Sequence, residues 1–125
     1  MNLLEVEAHV SQAATSEDLA TDLRRAKDGY LEVALRPLAG SAAKHSALLY
    51  TTGVEAFHLR LDGQYDVHDF DHEAAGQAEA LRTLVGIAAA HLRGDSVPAA
   101  EPRLLRRNRA CLDIRWSGET YRARA

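Results

Sequence analysis

Residues 47–70 read ALLYTTGVEAFHLRLDGQYDVHDF, and the turns within this stretch decide the predicted fold. Three runs rich in β-branched, aromatic and other apolar residues lie here, at 47–52, 54–60 and 64–70. Gly53 separates the first two runs, and Asp62-Gly63 separates the last two. Strand-forming runs divided by glycine-containing turns are typical of antiparallel hairpins. The stretch therefore predicts a three-stranded meander with two hairpins.

The apolar residues of the second hairpin predict its register. The core candidates Phe57 and Leu59 must share a face with their partners on the next strand, because alternate strand residues point the same way. A three-residue loop over 61–63 satisfies this condition and places its glycine at the left-handed position of a G1 bulge. The predicted pairs are Leu59 with Tyr65 and Phe57 with Val67.

In this register the outer side of the hairpin is polar. His58 faces Asp66 across the two strands, and Arg60, Gln64 and His68 share the same surface. An imidazole held by a carboxylate is the arrangement of an oriented general base, but it is also an ordinary cross-strand polar pair. No further group nearby in the sequence completes a catalytic set, so we prefer the structural interpretation.

The N-terminal part of the chain predicts a strand followed by a short helix. Residues 4–10 alternate apolar with polar side chains, which indicates a strand with one buried face. Thr15 or Ser16 then caps a helix over 17–27, and Gly29 ends it in a left-handed conformation. The core-facing residues of this helix are predicted to be Leu19, Leu23 and Ala26.

A long helix is predicted at 72–93. Asp69 or Asp71 supplies its N-cap, and Gly94 ends it. Its apolar residues recur at intervals of three and four, which indicates a helix lying on a sheet or on another helix.

Proline and glycine residues divide the rest of the chain into strands and loops. A strand over 30–36 ends at Pro37, and strands at 111–116 and 120–124 form a terminal hairpin. Loops are predicted at 38–46 and at 96–102. Residues 103–107 are compatible with irregular structure or with a short edge strand, and both alternatives stay open.

These elements predict one α+β domain over residues 1–125. It contains a mainly antiparallel sheet of about five to seven strands, with one short N-terminal helix and one long helix packed on it. A chain of 125 residues has the usual size of a single domain. Its 46% hydrophobic and 26% charged residues are typical of a globular protein that buries its own core.

Composition also predicts where the chain works. Cys111 is the only cysteine, which excludes an intramolecular disulfide and suits a reducing compartment. As a side chain it is a small filler or, beside a cation, a nucleophile, and the filler is preferred. Glu5 and Glu7 stand where a secretory signal is basic and then apolar, and no apolar run is long enough to cross a bilayer. We therefore expect a cytoplasmic protein that does not bind membranes.

Histidines and carboxylates crowd together at 67–73, VHDFDHE. Such groups bind zinc, manganese or iron. On a strand, however, His68 points away from Asp69, and His72 begins the long helix, so the ligands are dispersed. The motifs of serine hydrolases, phosphate-binding loops and zinc proteases are also missing from the sequence. We therefore predict no metal site and no cofactor, and we expect a protein that is not an enzyme.

The strongest basic run is RLLRRNR at 103–109. Arginines can bind phosphates, and Trp116 and Tyr121 could in principle stack on bases. The net charge of −3 argues against a nucleic-acid partner, and Trp116 shares the apolar side of its strand. We expect these arginines to be solvated or to bind an acidic protein.

The order of elements and three segments resemble small immunity proteins of bacterial polymorphic toxins. The segments are SEDL at 16–19, LRLDGQYDV at 59–67 and CLDIRW at 111–116. The resemblance implies a non-enzymatic protein that binds and occludes a toxin domain. Many toxin active sites recognise nucleic acid with basic surfaces, so an acidic binding surface provides electrostatic complementarity. The predicted partner-binding residues are Asp62, Asp66, His68, Asp69, Asp71 and Glu73.

Two alternative functions remain open. A secretion chaperone for an exported effector is also small, acidic and α+β, and dimerisation would favour it. A small metal- or ligand-binding enzyme would hold its pocket between the long helix and the sheet. A bound metal or small molecule would favour that alternative. The sequence predicts no oligomeric state.

Overall fold

The computed structural model describes residues 2–25, 30–38, 44–51, 56–70 and 74–125, with the backbone alone at 68–70 and 74–75. The helices of these residues are α1 (Leu3–Ser16) and α2 (Ala74–Leu92). The strands are β1 (Leu19–Arg25), β2 (Leu31–Pro37), β3 (Ala47–Thr51), β4 (Ala56–Leu61), β5 (Tyr65–Phe70), β6 (Ser96–Glu101), β7 (Arg109–Trp116) and β8 (Glu119–Arg124).

The described strands form one open antiparallel sheet of eight strands in the order β1-β2-β3-β4-β5-β8-β7-β6. Both helices lie on one face of it. α2 packs across β2 to β5 and β7, whereas α1 packs on α2 and β1. A single apolar cluster fills the space between the helices and the sheet. The predicted α+β class and antiparallel sheet are confirmed, and the predicted strand number of five to seven is slightly too low.

The first element is a helix, so the strand predicted there is wrong. Asn2 caps α1, and its Oδ1 accepts a hydrogen bond from the backbone N–H of Glu5 at 2.9 Å. Val6 and Val10 are buried one turn apart, and the buried stripe continues to Ala14. Residues four apart share one side of a helix and also one side of a strand. The alternating apolar residues are therefore compatible with both structures, and the N-cap at Asn2 favours the helix.

The helix predicted at 17–27 is also wrong, because this part of the chain contains β1. Asp18 has a left-handed φ of 56°, which separates α1 from the strand. Leu19 is buried, and Leu23 on the same strand face is 41% exposed. Leu19 and Leu23 are four residues apart, a spacing that places side chains on one side of a helix and also on one side of a strand. The helix end predicted at Gly29 lies outside the described residues.

Residues 96–101 form β6 at the sheet edge, where a loop was predicted. Pro98 was the reason for that prediction, because it lacks a backbone N–H. An edge strand leaves one of its sides unpaired, so it tolerates proline. β6 pairs with β7 from Ser96↔Ile114 to Glu101↔Arg109. Residues 102–108 are irregular, which decides between the two alternatives left open for 103–107.

The β4–β5 hairpin turns one residue later than predicted. Asp62 and Gly63 have φ values of 55° and 72°, and the N–H of Gln64 donates to the carbonyl of Leu61 at 3.1 Å. Two successive left-handed residues are typical of a type I′ turn, and Gln64 is an additional residue of the loop between the paired Leu61 and Tyr65. The later turn moves every partner by two residues. The predicted pairs are wrong, and the observed pairs are Leu61↔Tyr65, Leu59↔Val67 and Phe57↔Asp69.

The other predicted strands and the long helix are confirmed. They correspond to β2 to β5, α2, β7 and β8. Gly94 follows α2 with a left-handed φ of 89°, as expected of a helix end. Ser117 and Gly118 form the turn of the terminal hairpin, with φ values of 52° and 79°. The predicted turn at Gly53, the helix start at 72 and most of the loop at 38–46 lie outside the described residues.

α2 approaches the sheet closely at Gly86. A Cβ placed on this residue would overlap the indole ring of Trp116. A hydrogen bond also holds the ring, because its Nε1 donates to Glu17 Oε1 at 3.0 Å. Glycine at this position therefore allows the helix to lie on the end of β7.

We expect Gly86→Ala to destabilise the fold by about 1–3 kcal/mol, because overpacking outweighs the gain of about 1 kcal/mol in helix propensity. The free energy of unfolding in urea measures the effect. In a Trp116→Leu background the same substitution should be neutral or stabilising by up to about 1 kcal/mol. An equal loss in both backgrounds would contradict the proposed contact.

Candidate functional site

Of the six residues predicted to bind a partner, the structure describes the side chains of Asp62 and Asp66. Asp62 lies at the tip of the β4–β5 hairpin, and Asp66 lies on β5. His68 and Asp69 belong to the β5 backbone, but their side chains are outside the description, as are Asp71 and Glu73 entirely. Their role in partner binding stays a prediction. The run at 67–73 that was weighed as a metal site likewise lies mostly outside the described residues.

Asp66 faces Arg60, so the predicted pair of His58 with Asp66 is wrong. The shift in register brings Arg60 Nε to 2.9 Å from Asp66 Oδ1. The hydrogen bond and the charge of Asp66 raise the pKa of Arg60. The guanidinium carbon of Arg60 also lies 5.7 Å from the ring centroid of Tyr50, and Tyr50 stacks on His58 with centroids 4.8 Å apart. These side chains form an ordered polar and aromatic group on the central strands.

We call the side of the sheet away from the helices the outer face. Its described charged residues are seven arginines and five carboxylates, namely Arg24, Arg36, Arg60, Arg109, Arg115, Arg122 and Arg124, with Asp22, Glu32, Asp66, Glu101 and Asp113. Three ion pairs run across this face, Arg60–Asp66 at 2.9 Å, Arg122–Asp113 at 2.8 Å and Arg124–Glu101 at 2.6 Å. The outer face thus has a small positive excess, although the whole chain has a net charge of −3.

Cys111 lies on β7 opposite Arg124, on the strand side that belongs to the outer face. Its side chain is nevertheless buried. A nucleophilic thiol needs access to its substrate, and burial therefore favours the filler role.

Residues 102–108 connect β6 with β7 and form what we call the Arg-Leu loop. Leu104 and Leu105 at its tip are 90% and 97% exposed. Arg103 Nε donates a hydrogen bond to the carbonyl of Arg107 at 2.9 Å, which closes the base of the loop around the two leucines. Leu105 has a left-handed φ of 57°, an uncommon conformation for a residue with a branched side chain. The loop therefore presents two large apolar side chains between arginines.

A second group of polar side chains converges on the hairpin tip. His45 precedes β3, Asp62 belongs to the β4–β5 turn and His91 lies in the last turn of α2. We call these three residues the His-Asp-His cluster. Their ligand atoms all lie within 4.8 Å of one another. His45 Nδ1 is 3.2 Å from Asp62 Oδ2, and His91 Nε2 is 3.0 Å from Asp62 Oδ1.

Neighbouring groups orient this cluster. His91 Nδ1 lies 2.6 Å from the hydroxyl oxygen of Ser96, and the backbone N–H of Ser46 donates to Asp62 Oδ1 at 2.9 Å. His91 is 1% exposed, and its Nε2 makes no hydrogen bond of proper alignment despite the short distance to Asp62. The two imidazole rings are 4.5 Å apart between centroids. The buried nitrogen of His91 therefore faces a carboxylate without a directed bond to it.

The surroundings of Asp62 act on its carboxyl group in opposite directions. Burial raises its pKa, whereas the contact with His91 and the N–H of Ser46 lower it, and His45 lowers it further. The result is a pKa below the ordinary value of an aspartate, so the carboxyl is ionised at neutral pH. An ionised carboxylate between two imidazoles can form ion pairs with them, or all three can bind a cation.

Sequence reasoning missed this cluster because its members come from three separate segments. In the sequence, His91 interrupts the longest apolar run, at 84–92. A histidine on the buried side of an alanine-rich helix requires a polar partner, and that requirement was the available signal. The sequence did not show which residue the hairpin tip would bring to it.

No protein-family model, curated protein or solved structure matches the chain. Neither described helix combines the length and the hydropathy that crossing a bilayer requires.

The ion pair between Arg122 and Asp113 on the outer face gives a pH prediction. Two hydrogen bonds from Arg122, at 2.8 and 3.1 Å, hold the pKa of Asp113 below its ordinary value. The unfolded chain therefore binds a proton first as the pH falls, and the contribution of this pair to stability declines below about pH 4 and is lost at the folded pKa. An NMR titration of the Asp113 carboxyl should show the depressed pKa, and Arg122→Gln should raise it. An unchanged pKa in that variant would show that the ion pair does not form in solution.

Proposed function

We propose that the chain is a non-catalytic protein-binding module, and specifically an immunity protein that occludes a bacterial toxin domain in the cytoplasm. The observation that supports this most directly is the exposure of Leu104 and Leu105, at 90% and 97%, at the tip of the Arg-Leu loop. Single exposed apolar side chains are common on protein surfaces, whereas adjacent ones at a projecting tip are typical of a binding anchor. In this proposal the loop enters a cleft of the partner.

The apolar side chains provide the binding energy in this arrangement. Transfer of a leucine side chain from water into an apolar recess contributes about 1.5–3 kcal/mol before the costs of association. The hydrogen bond from Arg103 to the carbonyl of Arg107 restrains the loop before binding. A restrained loop loses less conformational entropy on association, which strengthens binding.

The charges around the loop indicate what kind of surface it binds. Arg103, Arg106 and Arg107 are exposed beside the two leucines, and the adjoining outer face has an excess of arginine. The partner cleft should therefore be apolar at its centre and acidic at its rim. A toxin that holds its catalytic groups with carboxylates presents such a cleft, and arginines inserted there would exclude its substrate.

The acidic residues predicted from the sequence have a smaller part in this proposal. Asp66 is paired with Arg60, and the carboxylate oxygens of Asp62 contact two imidazoles, so both side chains are already engaged within the fold. Tyr50 and Arg60 are central on the outer face, and tyrosine and arginine are enriched among residues that dominate protein interfaces. They extend the contact surface away from the loop.

Arginines also attract nucleic acids and anionic lipids, but the distribution of acids favours a protein. Five carboxylates alternate with the arginines of the outer face, and three of them are ion-paired. A phosphate backbone would be repelled by these carboxylates, whereas a protein surface of mixed charge can pair with both signs.

The proposal predicts that the gene immediately upstream encodes a protein with a toxin domain, and it is tested by producing that domain together with this chain. Coexpression should restore growth to cells that produce the toxin domain alone. Replacing both leucines, Leu104→Ala with Leu105→Ala, should raise the dissociation constant of the purified pair by about 100-fold or more, because both apolar side chains that the partner buries are truncated. Isothermal titration calorimetry gives the dissociation constant, and the growth assay gives the biological effect.

Leu4→Ala is the matched control, because Leu4 is 65% exposed on α1, away from the loop. It should leave both growth rescue and the dissociation constant unchanged. Equal affinity of the double variant and the wild type would contradict the role of the loop. A different result is that the chain fails to bind the upstream domain and binds RNA or anionic vesicles through the loop. That result would contradict the immunity function and identify RNA or a membrane as the partner.

A further inference from the structure

We propose that the His-Asp-His cluster is a binding site for a divalent transition-metal ion, with His45 Nδ1, His91 Nε2 and one carboxylate oxygen of Asp62 as ligands. The ligand atoms lie within 4.8 Å of one another. The existence of this site does not depend on the proposed immunity function.

The buried imidazole of His91 points to a ligand. Its side chain is 1% exposed, and Nε2 has no aligned hydrogen bond. A buried polar atom without such a bond is costly, and native structures contain few of them. A metal ion placed between Nε2 and Asp62 would satisfy the nitrogen lone pair and the carboxylate together.

The tautomer that metal binding requires is supported by the neighbouring serine. His91 Nδ1 lies 2.6 Å from Ser96 Oγ, so an Nδ1–H can donate to the hydroxyl oxygen and leave the Nε2 lone pair free. Histidines that bind metals commonly use their second nitrogen in this way. Asp62 is oriented in the same manner by the backbone N–H of Ser46 at 2.9 Å.

The spacing of the ligand atoms suits a small ion. Zinc–nitrogen bonds of about 2.0–2.1 Å at tetrahedral angles require ligand atoms about 3.4 Å apart. His45 Nδ1 is 3.2 Å from Asp62 Oδ2 and His91 Nε2 is 3.0 Å from Asp62 Oδ1, and one ligand atom from each residue lies within 4.8 Å of the others. Side-chain movements of up to about 1.4 Å therefore bring the three ligand atoms to the spacing that zinc requires. The side chains of His45 and Asp62 are 36% and 29% exposed, which gives an ion and a fourth ligand from solvent access to the site.

The chemistry of the ligands selects the class of ion. Imidazole nitrogens suit zinc, cobalt, nickel and copper, whereas calcium and magnesium prefer oxygen ligands in higher number. Two histidines and one carboxylate match the set that binds zinc with an open fourth position. Zn²⁺ is therefore the expected ion, and Co²⁺ is its spectroscopic substitute.

Such an ion would connect three separate parts of the fold. His45 precedes β3, Asp62 belongs to the β4–β5 turn and His91 lies in the last turn of α2. A ligand that binds the folded chain alone stabilises it in proportion to the logarithm of its concentration. The alternative is a protonated His91 in an ion pair with Asp62, which would make the fold insensitive to metal.

The test uses the full chain without an affinity tag, stripped of metal and titrated with Zn²⁺ or Co²⁺. We expect one equivalent of Co²⁺ to give the visible absorption of a tetrahedral site, without the sulfur-to-metal band that a cysteine ligand produces. Saturating Zn²⁺ should raise the melting temperature by about 5–10 °C. His45→Gln and Asp62→Asn should each weaken Zn²⁺ binding at least about tenfold, because each removes one of three ligands.

These two variants change partly exposed residues, so their folding can be verified separately by circular dichroism. His9→Gln, on α1, is the matched control and should bind Zn²⁺ as the wild type does. A melting temperature independent of Zn²⁺ would overturn the site and favour the ion pair. Equal Zn²⁺ affinity in the wild type and both ligand variants would also overturn it, by placing the ion elsewhere.

Discussion

One helix covers most of the buried face of the sheet, and the remaining features of the fold follow from this constraint. α2 packs across β2 to β5 and β7, so its contact side consists largely of small or medium apolar residues. Gly86 allows the closest approach, where the indole of Trp116 occupies the place of a side chain. Because both helices lie on the same side, the opposite side of an eight-stranded sheet is left to polar and charged residues.

The strands and the long helix could be predicted wherever hydrophobic period and turn residues agreed. The meander and α2 are examples, and the glycine of the terminal hairpin marked its turn. The N-terminal elements could not be predicted in this way, because Val6 with Val10 and Leu19 with Leu23 have the one spacing that suits helix and strand equally. The N-cap formed by the side chain of Asn2 is the feature that favours a helix over a strand at the N-terminus.

The candidate sites were harder to predict than the fold, for two physical reasons. A hairpin register depends on the position and conformation of its turn, and the loop at 62–64, one residue later than predicted, places Asp66 opposite Arg60 instead of His58. The composition of the Arg-Leu loop was visible in the sequence, but the exposure of its leucines depends on the closure of the loop. The His-Asp-His cluster joins residues from three distant segments, and local sequence patterns do not predict contacts between such segments.

The His-Asp-His cluster also bears on the strand that leads to the Arg-Leu loop. β6 is an edge strand, so β7 alone supplies its ladder of backbone hydrogen bonds. Its first residue, Ser96, contacts the buried ring of His91 at 2.6 Å, and its last residue, Glu101, is paired with Arg124 at 2.6 Å. Both ends of β6 are thus fixed by side chains as well as by the sheet. Since the loop begins directly after Glu101, the orientation of His91 helps to hold the strand from which the exposed leucines project.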